Sequence, residues 1–258
     1  MSTNNLFADS AVNLDLLRQR AFNLRWATLP ADVIPLTAAD PDFPIAAEIR
    51  AALQGYAEGG VLSYGPAEGL ASFRETVART LAERRGIACT AAQILPVSGA
   101  AHGMFVVAQH VLRPGDEAII FDPVDFLFKK SVESAGGVAV LSQVDAATRA
   151  FDIAGIRRLI TPRTRLIGVC NPHNPLGRVL RREELEALGQ LAIEHDLLIM
   201  ADEIWSDIIY PPHRHISMAA LSPEIAQRTL TVFGFSKTFG LAGLRVGYVV
   251  APSAAVCE

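Results

Sequence analysis

The sequence predicts an α/β protein: a mostly parallel sheet with helices on both faces. Two observations carry that expectation. From about residue 94 onward, short apolar runs take turns with segments of helical periodicity. The runs are bounded by turn residues and are rich in Val, Ile and Leu, as strands buried on both faces are.

The elements follow in order. "AAEIRAALQGYAE" (46–58) and "GLASFRETVARTLAERRG" (69–86) space their apolar residues by three and four, so two amphipathic helices are expected, the second closing on Gly86. Then come "ILPV" (94–97), a glycine-led helix over 99–111, "EAIIF" (117–121), a helix over 126–134, "VAVL" (138–141) and a short helix over 153–160. The series continues with "RLIGVC" (165–170), the helix "RREELEALGQLAIEH" (181–195), "LLIMAD" (197–202), "TLTVF" (229–233) and "LRVGYVV" (244–250). Residues before about Pro44 lack this alternation and read as an arm. There is no internal repeat, low-complexity tract or long linker.

Bulk properties narrow the function. Half of the 258 residues are hydrophobic and 19% are charged, which suits a well-buried protein of one or two domains. A formal charge of −4, with no basic run, offers no field for nucleic acid or an anionic membrane, and points to small-molecule or protein partners. Cys89, Cys170 and Cys257 are odd in number and irregularly spaced, which fits neither a disulfide framework nor a zinc site. Reduced thiols, an N-terminus without an apolar signal core and no apolar stretch of about 18 residues together give a cytoplasmic expectation.

In parallel sheets, ligands bind beyond the carboxyl ends of the strands. Five such ends carry unusual loops: "PVSGAAHG" (96–103), "FDPVDF" (121–126), "CNPHNPLG" (170–177), "ADEIW" (201–205) and "GFSK" (234–237), all expected on one rim. The amides near Gly99, Ala100 and Ala101 open a helix with small residues, which either cradle a phosphate or merely start the helix. Asp202 ends an apolar strand, where an acid demands a cation or donors opposite; Glu203 beside it reads equally as a helix cap or a structural ion pair. Two Asn-Pro pairs stiffen the loop that presents Asn171 and Asn174. His173 between them is a loop histidine, since no Cys, His or acid lies at ligand spacing, and no metal is expected. Lys237, in "GFSKTFGLAGLRVGY" (234–248), is either a solvated loop lysine or, beside Arg245, an amine whose free form is favoured for attack on a carbonyl.

A phosphate cradle, a buried acid, a rigid asparagine and a nucleophilic lysine are what pyridoxal phosphate requires. The chain resembles the fold-type I pyridoxal-phosphate enzymes of the class I/II aminotransferase family, near the branch of cystathionine β-lyase-like C–S lyases. The resemblance runs through "IPLTAADPDFP", "LSYGPAEGLASFRETVA", "LRPGDEAIIFDPVDF", "CNPHNPLGR", "ADEIWSDIIY" and "FSKTFGLAGLRVGY". It implies a cofactor-binding large domain over 45–258 and an arm or small-domain segment over 1–44. Lys237 then matches the lysine that holds the cofactor covalently and moves the Cα proton. Asp202 matches the acid on the pyridine nitrogen and Asn174 the donor to the ring 3′-oxygen. Gly99, Ala100 and Ala101 match the backbone cradle, and Ser236 and Arg245 the side chains on the phosphate. Tyr64 matches the tyrosine that reaches a phosphate across a homodimer interface.

Three departures stand out. Asp125 occupies the place of the usual ring-stacking aromatic, so either Phe126 takes that face or the stacking is lost. Trp205 stands where aminotransferases commonly carry a tyrosine. The chain stops at "APSAAVCE", before the small domain whose arginine would clamp the substrate carboxylate. The implied activity is transamination between an amino acid and a keto acid; β-elimination by a C–S lyase and a non-catalytic relative are the alternatives.

Overall fold

The computed structural model describes residues 6–257. The chain forms two compact units, one of Met1–Tyr64 with Phe235–Arg245 and one of Gly65–Gly234 with Val246–Glu258. The domain break expected after residue 44 was drawn by function; the units drawn by contact divide after Tyr64 and set the 235–245 segment with the N-terminal residues.

In the first unit, α1 (Leu14–Arg20) starts at Asn13, whose side chain accepts from the Leu16 amide at 3.0 Å. No helix was expected there, because a seven-residue segment that buries nothing leaves little periodic trace. The expected helix α2 (Ala47–Glu58) is present, yet none of its residues is buried. Arg25 is buried, donates to the Ala38 carbonyl and pairs with Asp42. Phe7 meets Phe43 edge-on with ring centres 5.4 Å apart.

The second unit is built on one sheet. Helix α3 (Ala71–Arg85) ends on Gly86, in the left-handed conformation that glycine adopts without a Cβ clash. The series runs β1 (Ile94–Val97), α4 (Ala100–Val111), β2 (Glu117–Asp122), α5 (Phe126–Ser134), β3 (Val138–Gln143), α6 (Ile153–Leu159) and β4 (Thr164–Cys170). It continues with α7 (Arg182–Glu194), β5 (Leu198–Asp202), α8 (Pro223–Ala226), β6 (Thr229–Gly234) and β7 (Gly247–Val250). The seven strands lie in the order β1-β7-β6-β5-β4-β2-β3. Only β7 runs against its neighbours β1 and β6; all other pairs are parallel. The mostly parallel expectation therefore holds.

Alternate residues of the central strands β2, β4 and β5 feed opposite cores. Ile119, Phe121, Ile167, Val169 and Ile199 pack with Leu185, Leu188 and Leu191 of α7. Ala118, Ile120, Leu166, Met200 and Val232 pack with Met104 and Val107 of α4 and Phe128 of α5. A strand apolar on both sides is satisfied only by this double cover, which is why the central runs read as unbroken.

Packing of α5 on the sheet depends on Gly168 in β4. A Cβ there would lie 2.7 Å from the Phe128 ring and 3.0 Å from Ile120. Gly168→Ala is expected to cost about 1–3 kcal/mol in urea unfolding, as overpacking does, and Phe128→Leu in the same chain to recover part of it. A loss below about 0.5 kcal/mol, the size of an ordinary surface change, would contradict this packing.

Candidate functional site

Since β1, β2, β4, β5 and β6 all run the same way, their carboxyl ends share one edge of the sheet. Four of the five expected loops lie on that edge within the second unit, and the fifth leaves it at Gly234, the last residue of β6.

Gly99 stands immediately before α4 with φ +93°, and the helix opens without a side-chain cap. The carboxyl end of β6 comes against this opening: a Cβ on Gly234 would lie 3.0 Å from the Ala100 amide nitrogen. A Cβ on Gly247 would fall 2.6 Å from the Phe233 carbonyl oxygen and 2.9 Å from Gly99 Cα. The first amides of α4, at Ala100 and Ala101, thus open a twelve-residue helix that Gly99, Gly234 and Gly247 approach without a Cβ. A helix dipole and unfilled donors in such a clearing suit a phosphate.

Asp202 ends β5, 6% exposed, between Cys170 of β4 and Val232 of β6. Its Oδ1 accepts from the Ile204 amide at 3.1 Å. Burial first, and then the charge of Asp202, hold the Cys170 thiol well above its ordinary value. A carboxylate so enclosed is a natural partner for a cationic ligand atom.

Asn174 is half-buried, and its Nδ2 donates to Asp125 Oδ2 at 2.9 Å. The other oxygen of Asp125 accepts from the Leu127 amide at 2.9 Å and so caps α5. An amide NH₂ carries two hydrogens, so this bond orients Asn174 and leaves one to donate. The residue at the usual aromatic position is therefore an anchor for the asparagine, a role sequence reasoning missed because the two lie 49 positions apart. Phe126, the other candidate for that face, is 64% exposed, with Lys130 Nζ 4.9 Å from its ring centre.

Glu203 is 1% exposed, lies 3.9 Å from Arg85 and is 3.1 Å from His215 Nε2, so Arg85 realises the ion-pair alternative of the sequence reading. Asn174 and Trp205 border a cleft of about 720 Å³, whose walls include Arg149, Arg178, Tyr210 and His213. His173, on the same wall, is 2% exposed, packed against Phe151 and Phe121, with neither ring nitrogen hydrogen-bonded. Arg178 lies over the Phe151 ring and pairs with Glu184. Among the described residues no three His, Cys, Asp or Glu side chains group as a metal site.

The remaining candidates belong to the first unit. Lys237 Nζ donates to the Ala39 carbonyl at 3.1 Å and lies 3.6 Å from Asp40 Oδ1. It borders a pocket of about 210 Å³ with Phe7, Phe43, Ile49 and Phe239. Ser236 is half-buried nearby in the chain. Arg245 adopts φ +53° and donates to the Ala242 carbonyl at 3.0 Å. Tyr64 is fully exposed.

The family model for aminotransferase class I and II matches residues 31–258, and the chain belongs to that family. It is 35% identical over 222 residues to the aspartate/prephenate aminotransferase of Thermus thermophilus, covering 86% of this chain and 57% of that one. It is also 35% identical over 225 residues to the arginine–pyruvate transaminase of Pseudomonas aeruginosa, covering 86% and 56%. The crystal structure of an aromatic aminotransferase from Pyrococcus horikoshii superimposes with a TM-score of 0.83 at 30% identity, covering 95% of this chain and 64% of that one. The chain thus spans a little over half the length of the curated relatives it matches.

His173 yields a pH prediction. Burial foremost, with the nearby Arg178 charge, lowers its pKa from 6.5 to about 4. On acidification the unfolded chain takes up this proton first, so the contribution is intact above pH 6.5 and is lost as pH falls toward 4. Urea unfolding of the parent and of His173→Phe between pH 7 and about 4 is expected to show a shallower acid slope in the variant, by up to about one proton. Equal slopes would mean that His173 titrates normally.

Proposed function

We propose that this chain carries the cofactor site of a pyridoxal-phosphate-dependent aminotransferase, with residues 45–258 as its cofactor-binding domain and 1–44 as an arm. The observation that carries the reading is the gathering, on one sheet edge, of a buried acid, an oriented asparagine and an uncapped helix N-terminus: Asp202, Asn174 and Gly99–Ala101. These residues fit pyridoxal phosphate, whose phosphate, ring oxygen and ring nitrogen call for that donor, donor and acceptor set.

The α4 amides bind the phosphate, with Ser236 and Arg245 as its side-chain partners. Asn174 donates to the ring oxygen, oriented by Asp125, while Asp202 holds a proton on the ring nitrogen. Phe126 is the aromatic for the ring face. Lys237 follows the last residue of β6 by three positions and is the amine for the covalent link and for moving the proton at the substrate Cα. Bound there, the cofactor supplies an electron-withdrawing ring that makes that proton removable. The substrates are an amino acid and a keto acid. Tyr64, fully exposed beside exposed Val61 and Leu62, supports a homodimer in which it reaches the partner's phosphate. Three free cysteines support a cytoplasmic setting.

Borohydride reduction of cofactor-loaded protein followed by peptide mapping is expected to label Lys237; a label on another lysine with Lys237 unmodified overturns the assignment. Asp202→Asn is expected to bind cofactor yet exchange substrate Cα protons at least about a hundredfold more slowly, with the loss in kcat rather than KM. Exchange at the parent rate would reduce Asp202 to a structural acid. Dominant release of pyruvate from a β-thio amino acid without any keto acid would replace transamination by β-elimination.

A further inference from the structure

Glu203 follows Asp202 in the chain, but its carboxylate is enclosed. One oxygen accepts from Ser217 Oγ at 2.8 Å and from the Met218 amide at 3.0 Å. The other lies 3.1 Å from His215 Nε2 and 3.9 Å from Arg85, which also pairs with Asp207 at 3.0 Å.

The other side of His215 fixes the direction of this chain of bonds. Asn171 is 3% exposed, its Oδ1 accepts from the Leu180 amide at 2.9 Å and its Nδ2 donates to the Ile216 carbonyl at 3.2 Å. Exchanging the amide oxygen and nitrogen would set donor against donor and acceptor against acceptor, so the amide orientation is determined. The same Nδ2 lies 3.4 Å from His215 Nδ1. A nitrogen with only hydrogens to offer is matched by a lone pair opposite, which a bare Nδ1 supplies when the ring hydrogen sits on Nε2, facing Glu203. With Ser217 and the Met218 amide on one oxygen and the Arg85 charge 3.9 Å from the other, Glu203 is served without a second histidine proton.

The relay touches both polar residues of the proposed site through the backbone. The Asn171 amide bonds the Asp202 carbonyl at 3.0 Å, and the Glu203 amide bonds the Val232 carbonyl at 3.0 Å, so the ends of β4, β5 and β6 are tied where the relay is anchored. Asn171 also begins the short proline-stiffened loop that ends in Asn174.

We propose that His215 is a positioning residue, locked as the neutral Nε2–H tautomer between Asn171 and Glu203, and that this relay sets Asn174 and Asp202 for cofactor binding. The second half rests on the function proposed above. A purely structural ion pair would need His215 charged on both nitrogens, whereas the relay needs it neutral with its hydrogen on Nε2.

Two measurements separate the parts. In ¹⁵N-labelled chain without cofactor, long-range ¹H–¹⁵N correlations of the imidazoles at neutral pH are expected to show His215 with hydrogen on Nε2 and a bare Nδ1. A ring protonated on Nδ1, or on both nitrogens, overturns the relay, and no variant is needed to see it. Asn171→Asp then places an acceptor opposite Nδ1, so His215 is expected to become doubly protonated and retention of pyridoxal phosphate, read by its visible absorption after gel filtration, to fall roughly tenfold. Leu188→Ala, in the core under α7, serves as a variant destabilised elsewhere. Retention in Asn171→Asp no weaker than in Leu188→Ala overturns the positioning role. A parent chain with the assigned tautomer but no cofactor binding sinks the functional reading and the positioning half with it, and leaves the relay standing.

Discussion

A parallel sheet covered on both faces gives its strands no side on which to show a polar group. In β2, β4, β5 and β6 nearly every residue is buried, and in β2, β4 and β5 alternate side chains are committed to two different cores. Polar chemistry is thereby expelled to the strand ends, and the shared direction of the strands collects those ends on one edge. Asp202, Asn171, Asn174 and the opening of α4 lie together because the strands behind them have nowhere else to deliver a donor or an acid.

That edge is organised in two depths. At the strand ends are Asp202, Asn174 and the amides of α4. Behind them lies a layer of committed side chains: Asp125 holds Asn174 while capping α5, and Glu203, His215 and Asn171 hold the turns after β4 and β5. Each inner residue meets two structural demands at once, which removes the rotamer freedom that an isolated surface asparagine or acid keeps.

The strands and helices of the second unit were legible because a doubly buried sheet writes itself as apolar runs between periodic segments. Helix Phe126–Ser134 and strand Leu198–Asp202 come close to the expected bounds. Strand Val138–Gln143 runs longer than its apolar core "VAVL", because pairing with β2 carries polar Ser142 and Gln143 along. The helix Leu14–Arg20 was invisible, and Ala47–Glu58 was expected to bury a face it does not bury, since periodicity records which residues are apolar and not what lies against them. The outward chemical groups were legible from their strand-end positions. Their supports were not: Asp125 meets Asn174, and Asn171 meets His215, across 49 and 44 positions, and only the fold brings them together. The "HRHIS" stretch (213–217) was the available signal for His215 and Ser217, and nothing in its composition says that it wraps a buried acid.

The clearing at the start of α4 also sets what evolution or a protein engineer can change. Gly99 needs its positive φ, Gly247 has backbone where a Cβ would go and Gly234 would crowd the Ala100 amide, so the floor of the site leaves little room for other residues. The walls do: Trp205, Tyr210 and His213 line an open cleft. Diversification libraries, and natural divergence among paralogues, should therefore conserve the glycine floor and accumulate their differences along these walls, so that new specificities arise by relining a fixed cradle.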